Sequence, residues 1–188
     1  RGSAGYGKEF LALDNGPKRW GALKDLQVLA DWAKKHPAIN PQKLAVFGGS
    51  YGGFAVLAML VHYPNTFSAG VDMFGIADFK SFLANTAPFR RPLRMAEYGD
   101  PVKDSEFLDA ISPARHAENI KAPLMVIQGV NDPRVPESES ALIVKKVKDK
   151  GGVVEYMLFP DEGHGIAKLP NRIKAYEGVV AFLNRYLK

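Results

Sequence analysis

Cysteine does not occur in this sequence, which excludes a disulfide framework, a thiolate metal site and a cysteine nucleophile. No apolar run approaches the roughly 20 residues that span a bilayer, so we expect no membrane partner. Internal repeats and low-complexity linkers are also missing. What is present fits one globular domain with its own core, since 46% of the 188 residues are hydrophobic and 24% are charged. These features fit the cytoplasm, the periplasm and secretion equally well.

The chain is mildly basic, with 25 lysines and arginines against 20 acidic residues and a net charge of +5. A nucleic-acid patch is one interpretation of this excess. The lysine-rich segment 145–150, however, belongs to a predicted helix that packs through Leu142, Val144 and Val147, so its lysines fit a solvated face. We therefore predict no nucleic-acid partner. Because no H-E-x-x-H or similar ligand spacing occurs, we also predict no metal and no cofactor.

Predicted strands and helices alternate along the chain, which is typical of an α/β fold with a parallel sheet. Short apolar runs predict about four strands, and a helical apolar period predicts helices between them. The strands are expected at 43–47, 67–74, 123–128 and 153–159, and the helices at 20–36, 53–63, 137–150 and 171–187. The helix at 53–63 is almost wholly apolar, so we expect it to be buried on all sides. Residues 1–19 are predicted as loop, and residues 76–119 as an insertion of helical turns and loops.

A candidate nucleophile stands between the first predicted strand and the helix that follows it. The residues Gly-Gly-Ser-Tyr-Gly at 48–52 match the G-x-S-x-G motif in its required strand-to-helix context. Small neighbours permit a sharp turn that exposes the Ser50 hydroxyl, and the positive end of the helix favours a developing oxyanion. We predict Ser50 as the nucleophile and the backbone N–H of Tyr51 as an oxyanion donor. The alternative is a glycine-rich turn with an incidental serine.

A serine hydroxyl needs a base to accept its proton, and the sequence has four histidines. His36 closes a predicted helix, His62 lies near the end of the buried helix, and His116 lies in the insertion, so each fits a structural role. His164 instead follows the fourth strand, between glycines, at the carboxyl edge of the sheet where Ser50 emerges. Functional sites of open α/β sheets collect at that edge. We therefore predict His164 as the base.

The acid of the triad must orient the imidazole and stabilise its charged form. Asp132 follows the third strand at the same sheet edge, and the resulting chain order Ser, Asp, His is that of α/β-hydrolases. Asp72 lies inside a strand and fits a structural role. Asp161 and Glu162 are too close in sequence to His164 to fold back onto its ring. We therefore predict Asp132 as the acid.

Four motifs together resemble the prolyl oligopeptidase family of serine peptidases, in the right order and over the whole chain. They are Arg-Gly-Ser-Ala-Gly-Tyr-Gly at 1–7, Gly-Gly-Ser-Tyr-Gly-Gly at 48–53, Asn-Asp-Pro-Arg-Val-Pro at 131–136 and Asp-Glu-Gly-His-Gly at 161–165. The resemblance implies an α/β-hydrolase fold. It also places Ser50, Asp132 and His164 on the family's catalytic triad.

The resemblance further implies substrate-binding residues. Arg134 falls on an arginine that in some members holds a substrate backbone carbonyl, and Val135 falls near the wall of the S1 pocket. Four more positions follow the second strand, where the family lines that pocket: Phe74, Ile76, Phe79 and Phe82. Read from the residues alone, Arg134 fits a surface salt bridge equally well, and the apolar side chains fit plain core equally well.

The resemblance also implies missing parts. Family members carry an N-terminal β-propeller or other gating domain, several further strands, and a tyrosine that supplies the second oxyanion donor, and none of these is in this sequence. We therefore expect residues 1–188 to be one α/β-hydrolase catalytic domain holding the C-terminal part of the sheet, without its N-terminal strands. The strand at 43–47 should then present an open edge. We expect the missing N-terminal part of the same polypeptide, or a second chain, to cover that edge.

The function that these expectations favour is a serine peptidase that hydrolyses peptide bonds of short peptides through an acyl-enzyme on Ser50. A carboxylesterase with the same triad is the alternative, because the two share their chemistry and differ in substrate preference. A hydrolase-like scaffold used only for binding is a third hypothesis, and the intact set of Ser50, Asp132 and His164 argues against it.

Overall fold

The computed structural model describes residues 1–188, whose centre is one sheet of four parallel strands. The strands are β1 (Ala45–Gly49), β2 (Ala69–Met73), β3 (Leu124–Gly129) and β4 (Val154–Phe159), and they lie in the order β1-β2-β3-β4. The helices are α1 (Lys8–Leu11), α2 (Arg19–Lys35), α3 (Tyr51–His62), α4 (Phe79–Asn85), α5 (Arg91–Tyr98), α6 (Ser105–Ile111), α7 (Glu137–Asp149) and α8 (Leu169–Tyr186). The predicted α/β class with about four parallel strands is confirmed.

Successive side chains of a strand point to opposite faces of the sheet, and each face carries its own core. Leu124 and Val126 of β3 belong to a core that includes residues of α3 and α7. Met125 and Ile127 of the same strand belong to a second core, which includes residues of α8. Every residue of α3 from 53 to 61 is buried, as its continuous apolar sequence predicts. No helix combines the length and the apolar character needed to cross a membrane.

The boundaries of some elements differ from the prediction. β1 begins and ends two residues later than the predicted 43–47, because Gly48 and Gly49 still pair with β2 although glycine is depleted in strands. The prediction of loop for residues 1–19 was wrong in part, since this segment contains α1 and two 3-10 turns, at Ala12–Asp14 and Gly16–Lys18. Residues 76–119 contain no strand, as predicted, and hold α4, α5 and α6.

The outer edge of β1 has no partner strand within the chain. Phe47 of β1 is 48% exposed, and Leu29 of α2 is 58% exposed. These two residues help to line a groove of about 260 Å³ whose eight lining residues are all hydrophobic. An open apolar strand edge of this kind is a site for pairing with another strand.

Candidate active site

Ser50 occupies a strained turn between the end of β1 and the start of α3. Its backbone angles are φ 58° and ψ −120°, which a residue with a side chain rarely adopts and which cost on the order of 1–3 kcal/mol. The Ser50 N–H donates to the carbonyl of Met73 at 2.9 Å, so the turn is fastened to the end of β2. Ser50 thus lies, partly exposed, in the sharp strand-to-helix turn that the motif predicts.

The glycines around Ser50 are required by close approaches of the backbone. A Cβ on Gly48 would lie 2.4 Å from the carbonyl oxygen of Gly52, closer than any real contact. A Cβ on Gly49 would lie 3.1 Å from the ring of Phe74. The small residues of the motif therefore let the strand, the turn and the helix pack against one another, as the sequence interpretation holds.

His164 lies in the loop between β4 and α8 and contacts both other predicted triad residues. Its Nε2 is 2.8 Å from the Ser50 Oγ, and its Nδ1 is 2.7 Å from Asp132 Oδ2. The carboxylate of Asp132 can only accept, so it fixes Nδ1 as the protonated nitrogen and leaves Nε2 free to take the serine proton. The structure thus brings together the three residues that the sequence predicts, in hydrogen-bonding geometry.

The side chain of Asp132 is fully buried, and its carboxylate accepts several hydrogen bonds. Oδ1 accepts from the backbone N–H groups of Arg134 at 2.8 Å and Val135 at 2.9 Å. Burial acts to raise the pKa of Asp132, but the hydrogen bonds from His164, Val135 and Arg134 outweigh it and hold the pKa below its ordinary value. Asp132 is therefore ionised at neutral pH, ready to stabilise a charged imidazole.

Glu162 and Asp161 are engaged elsewhere and do not compete for His164. The buried carboxylate of Glu162 accepts from the N–H groups of Ala167 and Lys168 and from the Asn171 side chain, within 3.0 Å. Asp161 pairs with the Lys168 ammonium at 2.7 Å. The hydrogen bond from Asn171 is the main reason that the pKa of Glu162 lies below its usual value. These two acids hold the His164 loop onto the start of α8, a role that the sequence analysis did not assign.

The predicted oxyanion donor, the Tyr51 N–H, belongs to the first residue of α3 and so has no acceptor within the helix. The Tyr51 ring is braced by Arg19, a fully buried residue whose Cζ lies 5.0 Å from that ring and 4.7 Å from the ring of Tyr98. Cation–π contacts of this kind gain strength away from water. Arg19 therefore restrains Tyr51, the residue after Ser50, a role that no motif in the sequence indicates.

The predicted substrate-binding residues divide into two groups. Phe74 packs on the imidazole of His164, with ring centroids 4.8 Å apart, and Arg134 is exposed and forms no ion pair. The others are at most 2% exposed and belong to one core cluster: Ile76, Phe79, Phe82 and Val135. In this structure the second group is core, and its part in a substrate pocket stays a prediction.

The three other histidines lie away from the triad. His62 stacks edge-on against Trp20, and its ring lies 6.0 Å from that of His116. Burial lowers the pKa of His62 to about 4, so this residue is neutral at physiological pH. His36 accepts a hydrogen bond from the Ala38 N–H just after α2 ends. These contacts fit the structural roles that were predicted for them.

Asp72 is a fully buried acid directly below the nucleophile turn, on β2 opposite Gly48. A Cβ on Gly53 or Gly75 would lie 2.3 or 2.4 Å from its Oδ1, so the carboxyl occupies a slot that exists only because both residues are glycine. Neither oxygen has a hydrogen bond of normal geometry. Burial raises the pKa of Asp72 to about 7, and the nearby Gly75 N–H offsets this only in part.

Fold and site together define the class of protein. A parallel sheet, a strained strand–serine–helix turn, and a triad in the chain order Ser50, Asp132, His164 are the arrangement of the α/β-hydrolase serine hydrolases. Within this class the chain belongs to the prolyl oligopeptidase family, whose family model matches residues 1–188. The resemblance inferred from the four sequence motifs is therefore confirmed.

Two curated relatives support this assignment. Dipeptidyl aminopeptidase BIII of Pseudoxanthomonas mexicana is 40% identical over 184 residues, a match that covers 95% of this chain and 27% of that protein. The acylamino-acid-releasing enzyme of Arabidopsis thaliana is 27% identical over 207 residues, covering 100% of this chain and 26% of the enzyme. The chain thus spans about a quarter of the length of the curated relatives it matches.

Solved structures agree in fold. The acylaminoacyl peptidase of Pyrococcus horikoshii superimposes with a TM-score of 0.90 at 27% identity, over 100% of this chain and 31% of that one. A puromycin-hydrolyzing peptidase of Mycobacterium tuberculosis gives a TM-score of 0.83 at 29% identity, over 88% of this chain and 25% of that one. The four-stranded sheet therefore corresponds to part of an α/β-hydrolase peptidase domain.

Proposed function

We propose that this chain is the catalytic part of a serine peptidase that hydrolyses peptide bonds of short peptides. The observation that carries the proposal is the continuous hydrogen-bonded chain from the Ser50 hydroxyl through His164 to Asp132, with links of 2.8 and 2.7 Å. The names of the relatives, a dipeptidyl aminopeptidase and acylamino-acid-releasing enzymes, favour short peptides over simple esters as substrates.

Acylation follows from the positions of these groups. The Ser50 Oγ attacks the scissile carbonyl carbon while Nε2 of His164 removes the hydroxyl proton. The negative charge of Asp132 stabilises the imidazolium, and the Tyr51 N–H at the positive end of α3 donates to the oxyanion. When the carbon–nitrogen bond breaks, His164 returns the proton to the leaving amine.

Deacylation repeats the same steps with water as the nucleophile. His164 takes a proton from the water, the acyl–oxygen bond to Ser50 breaks, and the serine recovers its proton. We propose that the second oxyanion donor lies in a preceding part of the polypeptide, where the family resemblance puts a tyrosine. Because removing one such donor costs on the order of 100- to 1000-fold in kcat, residues 1–188 alone should be a weak catalyst.

The choice between peptidase and carboxylesterase rests on substrate preference. We expect the full-length protein to hydrolyse dipeptidyl or N-acylaminoacyl anilides with a kcat/KM at least about tenfold above that for a butyryl ester, because contacts to the peptide stabilise the transition state. Steady-state kinetics on a matched pair of chromogenic substrates measures this ratio. Turnover of the ester with neither anilide hydrolysed would support the carboxylesterase instead.

The open edge of β1 supports a proposal about organisation. We propose that residues 1–188 form a single catalytic domain whose β1 edge is covered by strands from the preceding part of the same polypeptide or from a second chain. The unpaired edge, the half-exposed Phe47 and the apolar groove beside it support this. An extended partner would satisfy the free backbone groups of β1 and bury the groove.

A pair of phenylalanine variants tests this cover in the full-length protein. Phe47→Ala is expected to lower the free energy of unfolding by about 3 kcal/mol, the value for a buried phenylalanine. Phe89 is the matched control, because it is 75% exposed and lies outside the groove. We expect Phe89→Ala to change the free energy of unfolding by about 0.5 kcal/mol or less. Equal costs for the two variants in urea unfolding would contradict a covered edge.

A further inference from the structure

Gln128 is a fully buried polar residue near the end of β3, immediately before the loop that carries Asp132. We refer to residues 129–135 as the acid loop. The Nε2 of Gln128 donates to the carbonyl of Gly129 at 2.9 Å and approaches that of Val135 at 3.3 Å. One amide group therefore connects the first and the last residue of the acid loop.

The same nitrogen also faces the catalytic carboxylate. Nε2 of Gln128 lies 3.4 Å from Oδ2 of Asp132, the oxygen that accepts from His164 at 2.7 Å. Oδ1 is already occupied by the two backbone donors of the loop. The nitrogen of Gln128 and the imidazole of His164 thus face the same carboxylate oxygen.

The orientation of the Gln128 amide is fixed from α7. Its Oε1 accepts from the hydroxyl of Ser140 at 2.8 Å, and Ser140 is itself fully buried. With the oxygen held by this donor, the NH₂ group must point at the acid loop. All the partners are shielded from water, so a lost donor leaves a buried acceptor unpaired at a cost of about 1–3 kcal/mol.

We propose that Gln128 is a positioning residue that holds the acid loop closed and so keeps Asp132 aligned with His164. The proposal rests on the proposed function, because it concerns the geometry of that triad. Gln128 acts through Asp132 and does not touch the reacting atoms. Its chemical requirement is a hydrogen-bond donor, since three acceptors surround Nε2: the carbonyls of Gly129 and Val135 and the carboxylate of Asp132.

The first test removes the donor while keeping the shape of the side chain. We expect Gln128→Met in the full-length protein to lower kcat on the order of 100-fold, since small misplacements of catalytic groups cost this much. KM should stay within a factor of about three, because the substrate contacts are unchanged. Titration with a fluorophosphonate counts the competent Ser50 sites, so that kcat is expressed per site. Gln42→Met is the matched control, because Gln42 is exposed and its side chain makes no hydrogen bond.

The second test separates hydrogen bonding from packing. In Gln128→Glu only the protonated acid can donate to the loop, so the deficit in kcat relative to wild type should grow as the pH rises. The deficit of Gln128→Met should be the same at every pH. If either Gln128 variant is too unstable to assay, Ser140→Ala, which releases Oε1, is expected to lose on the order of tenfold in kcat per site.

Three results would overturn the inference. They are an unchanged kcat per titrated site in Gln128→Met, a loss explained wholly by fewer titrated sites, and a deficit of Gln128→Glu that is the same at every pH. Failure of the proposed function is distinguishable in the wild-type protein. If the triad is not catalytic, the fluorophosphonate does not titrate the wild type at all, and if the enzyme is a carboxylesterase, the wild type is titrated but hydrolyses the ester and neither anilide.

Discussion

Replacing Ser50 with alanine is expected to lower kcat on the order of a millionfold, as removal of a serine nucleophile does in other serine peptidases. The reason is that no other hydroxyl forms a hydrogen bond with the imidazole of His164, whose Nε2 lies 2.8 Å from the Ser50 Oγ. Residual rate should come only from oxyanion stabilisation and substrate binding. Peptide anilide hydrolysis by the full-length protein gives the rate, and a fluorophosphonate probe gives the covalent labelling.

Ser138→Ala is the matched control, since Ser138 is an exposed serine on α7 without a side-chain hydrogen bond. We expect it to retain wild-type kcat and full labelling, whereas Ser50→Ala should show no labelling. Labelling of Ser50→Ala at the wild-type level would place the nucleophile elsewhere and remove the basis of the proposed function.

Replacing Asp72 with asparagine is expected to make the variant increasingly more stable than the wild type as the pH rises. The folded pKa of about 7 lies above the ordinary value of 3.8, so folding favours the neutral carboxyl. This contribution is complete below about pH 4 and is lost as the pH rises to about 7. Above that pH the wild type buries a charge, at a cost of about 4 kcal/mol, and asparagine does not.

The measurement is the free energy of unfolding of wild type and Asp72→Asn, by urea at pH 4 and pH 8. The gain of the variant over the wild type should be larger at pH 8 by about 4 kcal/mol. Any cost of burying the amide is the same at both pH values and cancels. Asp149→Asn is the control, because the Asp149 side chain is 53% exposed, and its effect should differ by less than about 1 kcal/mol. Parallel stability curves for Asp72→Asn and wild type would contradict a buried neutral carboxyl.

The triad could be predicted from the sequence because its signals are local. Ser50 stands in a motif whose glycines are needed for a tight turn, and Asp132 and His164 each follow an apolar run that reads as a strand. Parallel strands put such loops at one edge, so convergence follows from the fold class. For the triad, the structure adds only the lengths of its two hydrogen bonds, 2.7 Å between His164 and Asp132 and 2.8 Å between His164 and Ser50.

The supporting residues could not be predicted, because their roles depend on contacts between distant segments. Arg19 lies in a stretch near the N-terminus, yet it braces Tyr51 and Tyr98. In the sequence Gln128 is only a polar residue at the end of a predicted strand. Its role depends on contacts with Ser140 and the acid loop, which the sequence does not show. For Asp72 the strand pattern predicts a structural role but not the slot between glycines that raises its pKa.

The residues of the substrate pocket could not be predicted from the sequence, for a different reason. A pocket wall and a hydrophobic core both require large apolar side chains, so the run after β2 is compatible with either. The structure separates them by burial, since Phe74 reaches the imidazole while Phe79 is fully enclosed. Only the tertiary arrangement makes this distinction.

The insertion at 76–119 follows β2, the one strand whose loop supplies no triad residue. The proposed nucleophile, acid and base follow β1, β3 and β4, so all three lie outside the insertion. A change at an exposed position of the insertion, such as Phe89, can therefore alter the surface of the protein while leaving the triad intact, whereas Phe79 and Tyr98 belong to the core and must be kept. This separation leaves evolution and engineering a place to vary the molecule without touching the triad, provided that the buried positions of the insertion are retained.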